Sequence, residues 1–196
     1  MAAELDHLFI CVSPGAPGAE RLIELGLVEG PRNTHPGQGT ANRRFFFANG
    51  MLELLWVADE AEAQSEMARP TLLWERWSKR NSGASPFGVI LRPADGDSTP
   101  PFPGWKYSPP YFEGRSLHIA NTGIDQPMMA FFDVAGRRDY EQRFVEHPAG
   151  FREITGYVVK STRSTSALTS SVPKRAACLR KSSINLGPEM LSGNPG

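Results

Sequence analysis

The sequence predicts an α+β domain, and three observations carry the prediction. Residues 5 to 12 form an apolar run that stops at Ser13-Pro14-Gly15-Ala16-Pro17-Gly18, the punctuation expected after a buried strand. Arg44-Phe45-Phe46-Phe47 and Met51-Leu52-Glu53-Leu54-Leu55-Trp56-Val57 are aromatic-rich runs separated by Ala48-Asn49-Gly50; an Asn-Gly pair tolerates positive φ and signals a tight hairpin. Stretches with helical spacing are interspersed among these strand-like runs.

Taken in order, residues 5 to 12 make the first strand. Leu22, Ile23, Leu25 and Leu27 among Glu20, Arg21 and Glu24 give a short helix closed by Gly26 and Gly30. Residues 31 to 42, rich in Pro, Gly, Asn and Thr, read as a loop. The hairpin follows over 44 to 57. From 60 to 80 the pattern is helical, divided by Pro70, with Leu72, Leu73, Trp74 and Trp77 facing inward. Residues 87 to 91 form a strand. The six prolines Pro93, Pro100, Pro101, Pro103, Pro109 and Pro110 make the stretch from 92 to 111 an irregular wall. Further strands are expected at 117 to 120, 128 to 133 and 154 to 159. This organisation places one domain at residues 1 to 160. A Ser/Thr-rich and then basic tail, 161 to 196, is expected to be poorly ordered.

The chain has 196 residues, 40% hydrophobic and 21% charged, enough to bury a core, which argues against wholesale disorder and against a fibrous fold. Lys plus Arg equals Asp plus Glu at 21 each, so the broad positive footprint of nucleic-acid binding is missing. The N-terminus has neither a basic n-region nor a long apolar stretch, which points away from a membrane and to the cytoplasm. Cys11 and Cys178 lack metal spacing, and Cys11, inside an apolar run, reads as a buried free thiol. Gly37-Gln38-Gly39 lacks a third glycine and precedes a strand, so it is no dinucleotide fingerprint. No Gly-x-Ser-x-Gly elbow supports hydrolase chemistry. Lys174, Arg175, Arg180 and Lys181 form a local basic patch, either a solvated tail or a contact for a protein partner.

Two residues stand above this background. His7 lies in the first strand and Glu53 in the middle of the hairpin's second strand; each is costly in an apolar layer unless partnered. Together they can share a divalent ion such as zinc, nickel, iron(II) or manganese, whose open positions would polarise a substrate oxygen. The plainer alternative makes His7 a satisfied core histidine and places Glu53 on the wet face of an edge strand. His35 and His147 each precede proline; they are candidates for a further ligand, a general base or a substrate hydrogen bond, or are simple loop histidines. Asn42 and one of Arg43 and Arg44 are candidate substrate contacts, since strand alternation lets only one of the two arginines face a pocket. The segment from Trp105 to Tyr111 can close over an apolar ligand, with Trp105 as a candidate contact.

Three segments resemble the opening of glyoxalase-like (vicinal oxygen chelate) domains: Leu5-Asp6-His7-Leu8-Phe9-Ile10-Cys11-Val12, His35-Pro36-Gly37-Gln38-Gly39-Thr40-Ala41-Asn42, and Met51-Leu52-Glu53-Leu54-Leu55. His147-Pro148-Ala149-Gly150 resembles a later element of that family. The resemblance implies βαβββ modules forming a curved mixed sheet around a pocket, with a first module at about 4 to 60 and a second part at about 85 to 160. It implies a metal-binding His on the first strand and a Glu on the last strand of the module, positions that His7 and Glu53 match. A metal-using glyoxalase has a second His and Glu in its second module, and Val89 stands where that His would be. The second module is therefore expected to be divergent or incomplete, or completed in a homodimer. The implied function is metal-dependent lyase, isomerase or dioxygenase chemistry on a small molecule with vicinal oxygens. The alternative is a binding module that sequesters a small molecule without catalysis. Glu53 and His35 are then the candidate catalytic residues; Asn42, Arg44 and Trp105 the substrate contacts; and His7, Glu53 and His147 the metal ligands.

Overall fold

The computed structural model describes residues 3–94, 97–112, 114–132, 143–159 and 168–171. Its first half holds β1 (Ala3–Cys11), α1 (Ala19–Glu24), β2 (Asn33–His35), β3 (Thr40–Phe47) and β4 (Gly50–Val57). Helices α2 (Glu60–Ala63) and α3 (Leu73–Ser78) follow, then β5 (Phe87–Pro93), β6 (Gly104–Tyr107), β7 (Leu117–Ala120) and β8 (Met128–Phe132). A separate pair, β9 (Gly156–Val159) and β10 (Leu168–Ser171), comes last.

The first eight strands form one mixed sheet in the order β2-β3-β4-β1-β5-β8-β7-β6. β1 is parallel to β4 and antiparallel to β5, and β5 is parallel to β8. Two four-stranded units, β2-β3-β4-β1 and β5-β8-β7-β6, thus join through β1 and β5 within one chain. This is the expected α+β architecture, a large curved sheet with few helices. The second unit has its four strands but diverges from the first. Where α1 links β1 to β2, the described residues between β5 and β6 contain no helix.

Strand alternation decides which side of the sheet each residue serves. Phe9, Cys11 and Leu55 join a core with Leu73, Ile90, Leu117, Met128 and Phe132. Their neighbours Ile10, Val12, Leu52 and Leu54 face the other way, against Leu22, Leu27 and Phe45 below α1. Side chains as fully buried as Phe45 and Leu54 each contribute about 2 kcal/mol. Cys11 is a buried free thiol, pushed up to about 12 by burial.

Several local expectations change in the folded chain. The hairpin is present, but β3 begins at Thr40 and residues 33 to 35 of the expected loop form β2. Pairing Asn33↔Asn42 through His35↔Thr40 outweighs the turn-prone composition there. Phe47 pairs with Gly50, so the turn residues are Ala48 and Asn49, and neither Asn49 nor Gly50 takes a positive φ. A long-range contact shapes this turn: the Asn49 amide exchanges two 2.9 Å hydrogen bonds with the backbone of Ile154, and Ala48 N donates to Arg152 O.

Pro70 divides the helical region as expected, inside a single 3-10 turn (Arg69–Thr71) ahead of α3. Leu73 is buried and Trp77 packs on the core, while Leu72 and Trp74 stay half-buried. The most buried residue of α3 is Arg76, 1% exposed. The proline-rich wall contains one short strand, β6, at the sheet edge where prolines are tolerated.

Four residues of the expected tail pair with β9 as β10, in the register Leu168↔Val159 to Ser171↔Gly156. Lys174, Arg175, Cys178, Arg180 and Lys181 lie outside the described residues. Among the described residues no helix is long and apolar enough to cross a membrane.

Candidate functional site

The sheet cups a cavity of about 450 Å³, within the usual range for small-molecule sites. Alternation brings His7 and Phe9 of β1, Asn42 and Arg44 of β3, and Met51, Glu53 and Leu55 of β4 to its lining. β2 and the turn after it add His35 and Gln38. From the second unit come Ile90, Tyr107, Leu117, Met128 and Phe132, with Tyr111 and Phe112 from the proline-rich segment. The polar side chains are thus gathered on one wall, and the facing wall is apolar and aromatic.

His7 is 9% exposed and Glu53 5%. β4 lies between β3 and β1, so the expectation of a wet edge-strand Glu53 does not hold. His7 Nε2 stands 3.4 Å from Glu53 Oε2, and His35 Nε2 4.0 Å from Glu53 Oε1. Asn42 donates its amide to Glu53 Oε1 and accepts from Asn33 N at 3.0 Å, which orients the amide and holds the carboxylate. His7 Nδ1 meets Asp6 Oδ1 at 2.6 Å. Asp6 reaches it because the β1–β5 register shifts between Leu5 and His7, a bulge that lets consecutive residues share one side. The imidazole therefore sits between two carboxylates.

The charges follow from that placement. Burial opposes the His7 imidazolium, but hydrogen bonds to Asp6 and Glu53 outweigh it and raise its pKa from 6.5 to about 9. Burial also opposes the Glu53 carboxylate, yet His7 above all, with His35 and Asn42, brings its pKa down from 4.5 to about 2. Burial keeps His35 below its ordinary value, with Nδ1 held 2.8 Å from Thr40 Oγ1. These shifts set a stability window for the metal-free protein. The His7 contribution is complete below pH 6.5 and is lost as pH rises towards 9. The Glu53 contribution is complete above pH 4.5 and is lost as pH falls towards 2. Urea unfolding is expected to show a stability plateau between pH 4.5 and 6.5 that flattens in H7Q/E53Q; an equal pH profile in both proteins would contradict it.

The turn carrying His35 has its own support. Gly37 and Gly39 take positive φ of 80° and 71°, and their N–H groups donate to Glu62 Oε2 at 2.6 and 3.1 Å. Tyr111 lies on His35 with ring centroids 4.6 Å apart, and its Oη is 3.4 Å from Gln38 Oε1. Tyr111 belongs to the stretch expected to close over a ligand, whereas sequence reasoning gave no role to Asp6, Gln38, Thr40 and Glu62. Asp6 beside His7 was the one visible signal, and only the bulge makes it meaningful.

Of the other candidates, Arg44 lines the cavity and His147 and Trp105 do not. His147 is outside the cavity: Nδ1 accepts from Val28 N at 2.9 Å, and Nε2 is 3.1 Å from Phe46 O, so both nitrogens serve the backbone and neither is left for a metal. Trp105 packs on the core flank, edge-on to Tyr107, and it is Tyr107 and Tyr111 of that stretch that line the cavity. Arg44 lines the cavity, with Nε donating to Pro31 O at 2.8 Å. Arg43 points away into a bidentate pair with Glu29 and a contact with Glu20. On β5 the cavity residue is Ile90, which pairs with His7, while Val89 is fully buried outside the lining.

These positions bear on a metal. His7 and His35 approach different oxygens of Glu53, and β5 and β8 face them with Ile90, Met128 and Phe132. Among the described residues no three His, Cys, Asp or Glu side chains form a metal-binding group. The donor set does not fit the four-ligand centre that the resemblance implies.

The family model described as a glyoxalase-like domain matches residues 5–172, and the chain belongs to this glyoxalase-like family. No curated protein sequence matches it. Solved structures similar to the chain include two hypothetical proteins. One is a hypothetical protein, BH1468, from Bacillus halodurans C-125, at 14% identity and TM-score 0.43, covering 67% of this chain and 94% of that one. The other is a hypothetical protein from Staphylococcus aureus, at 9% identity and TM-score 0.43, covering 80% of this chain and 68% of that one.

Proposed function

We propose that the chain binds a small molecule with a polar head and an apolar body, in the cavity between the two halves of the sheet. The observation that supports this is the two-sided lining: His7, His35, Asn42 and Glu53 on one wall, Ile90, Leu117, Met128 and Phe132 on the other. The head meets the Glu53 carboxylate and the His35 imidazole, and the body lies against the apolar wall. If the chain acts on this molecule, His35 is the better proton acceptor, because burial keeps it neutral while Glu53 is held as a weakly basic carboxylate.

A second reading, metal-dependent lyase, isomerase or dioxygenase chemistry, draws support from one observation. His7 Nε2 faces Glu53 Oε2 while Asp6 engages Nδ1, the way carboxylates orient metal-bound histidines. His7 and Glu53 would then hold the ion, which would polarise a substrate oxygen. Metal content after incubation with nickel, zinc, iron(II) and manganese separates the two. The binding reading expects no stoichiometric metal in the wild type, and ligand binding unchanged by a chelator. Near-stoichiometric metal, lost in folded His7→Ala and Glu53→Ala, would establish the second reading instead.

A further inference from the structure

Gly88 stands on β5, one of the two strands through which the halves of the sheet join. It pairs with Phe9 of β1 on one side and Met128 of β8 on the other, and both of those side chains line the cavity. It comes two residues before Ile90, another lining residue, so a side chain at 88 would point the same way. Gly88 does not take a positive φ, and glycine inside a strand weakens it, so the backbone gives no reason for the residue. Its neighbour does. A Cβ at 88 would fall on the Phe9 ring, against Cδ1, Cε1 and Cζ. The ring therefore lies across β5 in the space that such a side chain would take, and it is 4% exposed. The strand is beneath it, and Cys11, Leu55, Ile90 and Met128 belong to the same packed cluster. A displaced Phe9 ring has one way to go, away from the sheet and into the cavity.

We propose that Gly88 sets the depth of the cavity and with it the size of the ligand, by letting Phe9 lie down against the sheet. The ligand class is then a molecule with a flat aromatic body larger than a single ring and a head that donates an N–H or O–H. The body lies over Phe9 with Tyr111, Phe112 and Phe132 about it, and the head donates to the Glu53 carboxylate, which can only accept. This rests on the small-molecule reading above and deepens it.

The probes are N-phenyl-1-naphthylamine and 1-naphthylamine, neutral aryl amines at neutral pH that share the donor and differ in the size of the body. Fluorescence titration of the larger, and its displacement by the smaller, compare wild type, Gly88→Ala and Gly88→Ala/Phe9→Leu, each first shown to unfold cooperatively. Gly88→Ala is expected to weaken the larger probe by about tenfold and the smaller by less than about threefold. Adding Phe9→Leu is expected to return the larger probe to within about threefold of wild type. Equal binding of the larger probe in wild type and Gly88→Ala overturns the proposal. So does a loss that is the same for both probes, or one that Phe9→Leu does not relieve, either of which makes Gly88 a packing residue alone; the small-molecule reading survives all of these results. Binding of neither probe to the wild type overturns the small-molecule reading and the proposal with it. If Gly88→Ala does not fold, Phe9→Trp puts a larger ring over the same glycine, with the same losses expected for the two probes and the same equal binding overturning the proposal.

Discussion

Glu53→Ala is expected to lower the unfolding free energy by about 3–5 kcal/mol, the cost of removing one member of a buried ion pair. The carboxylate is 5% exposed and lies between His7, His35 and the Asn42 amide. Without it, the His7 imidazolium keeps only Asp6, and the Asn42 amide loses its acceptor. Domains of this kind have about 5–15 kcal/mol in total, so the variant is expected to show a clearly lower urea midpoint. Double substitution at His7 and Glu53 by glutamine is expected to cost less than the sum of the single changes, by about 1–3 kcal/mol. A loss below about 1 kcal/mol for Glu53→Ala would place the carboxylate in contact with solvent, the regime of exposed pairs.

Arg76→Ala is expected to cost about 3 kcal/mol or more, because it removes a side chain that is 1% exposed and leaves the buried Ser85 carbonyl and the part-buried carbonyls of Ile124 and Gln126 without their donor. The Arg76 guanidinium donates to Ser85 O at 2.7 Å, Ile124 O at 3.1 Å and Gln126 O at 2.6 Å. Those carbonyls stand just before β5 and β8, which carry Ile90, Met128 and Phe132 into the cavity. Loss of the guanidinium therefore frees the entry to both strands of the apolar wall. All three bonds come from Nη1; Arg76→Lys keeps a charge with three donors but on a shorter, differently shaped side chain, and an intermediate loss is expected. Thermal unfolding of both variants tests this, and a midpoint for Arg76→Ala equal to that of wild type would show that the three carbonyls are satisfied otherwise.

Much of the architecture is legible because local chemistry dictates it. The apolar runs from Leu5 to Val12 and from Met51 to Val57 need no knowledge of partners to read as strands, and they place His7 and Glu53 within two strands, while the burial of Glu53 depends on β4 lying between β3 and β1. The resemblance carried by these runs points to the family that the match over residues 5–172 shows. Pro70 divides the helical stretch wherever the rest of the chain lies, since it lacks the N–H that a continuous helix requires.

What the sequence by itself determined is thus the kind of element at most positions and the two residues at the centre of the polar wall. Tertiary structure decided what depends on register and on distant segments. The bulge at Asp6 sets a carboxylate beside His7, and pairing with β3 turns residues 33 to 35 from loop into strand. Ile154 shapes the hairpin turn that Asn49-Gly50 would have made differently by itself. His147 belongs to the backbone of Val28 and Phe46, and Ile90 rather than Val89 faces His7. The physical reason is common to all of these: side-chain periodicity is a local property, whereas a one-residue shift between paired strands changes which face every side chain serves.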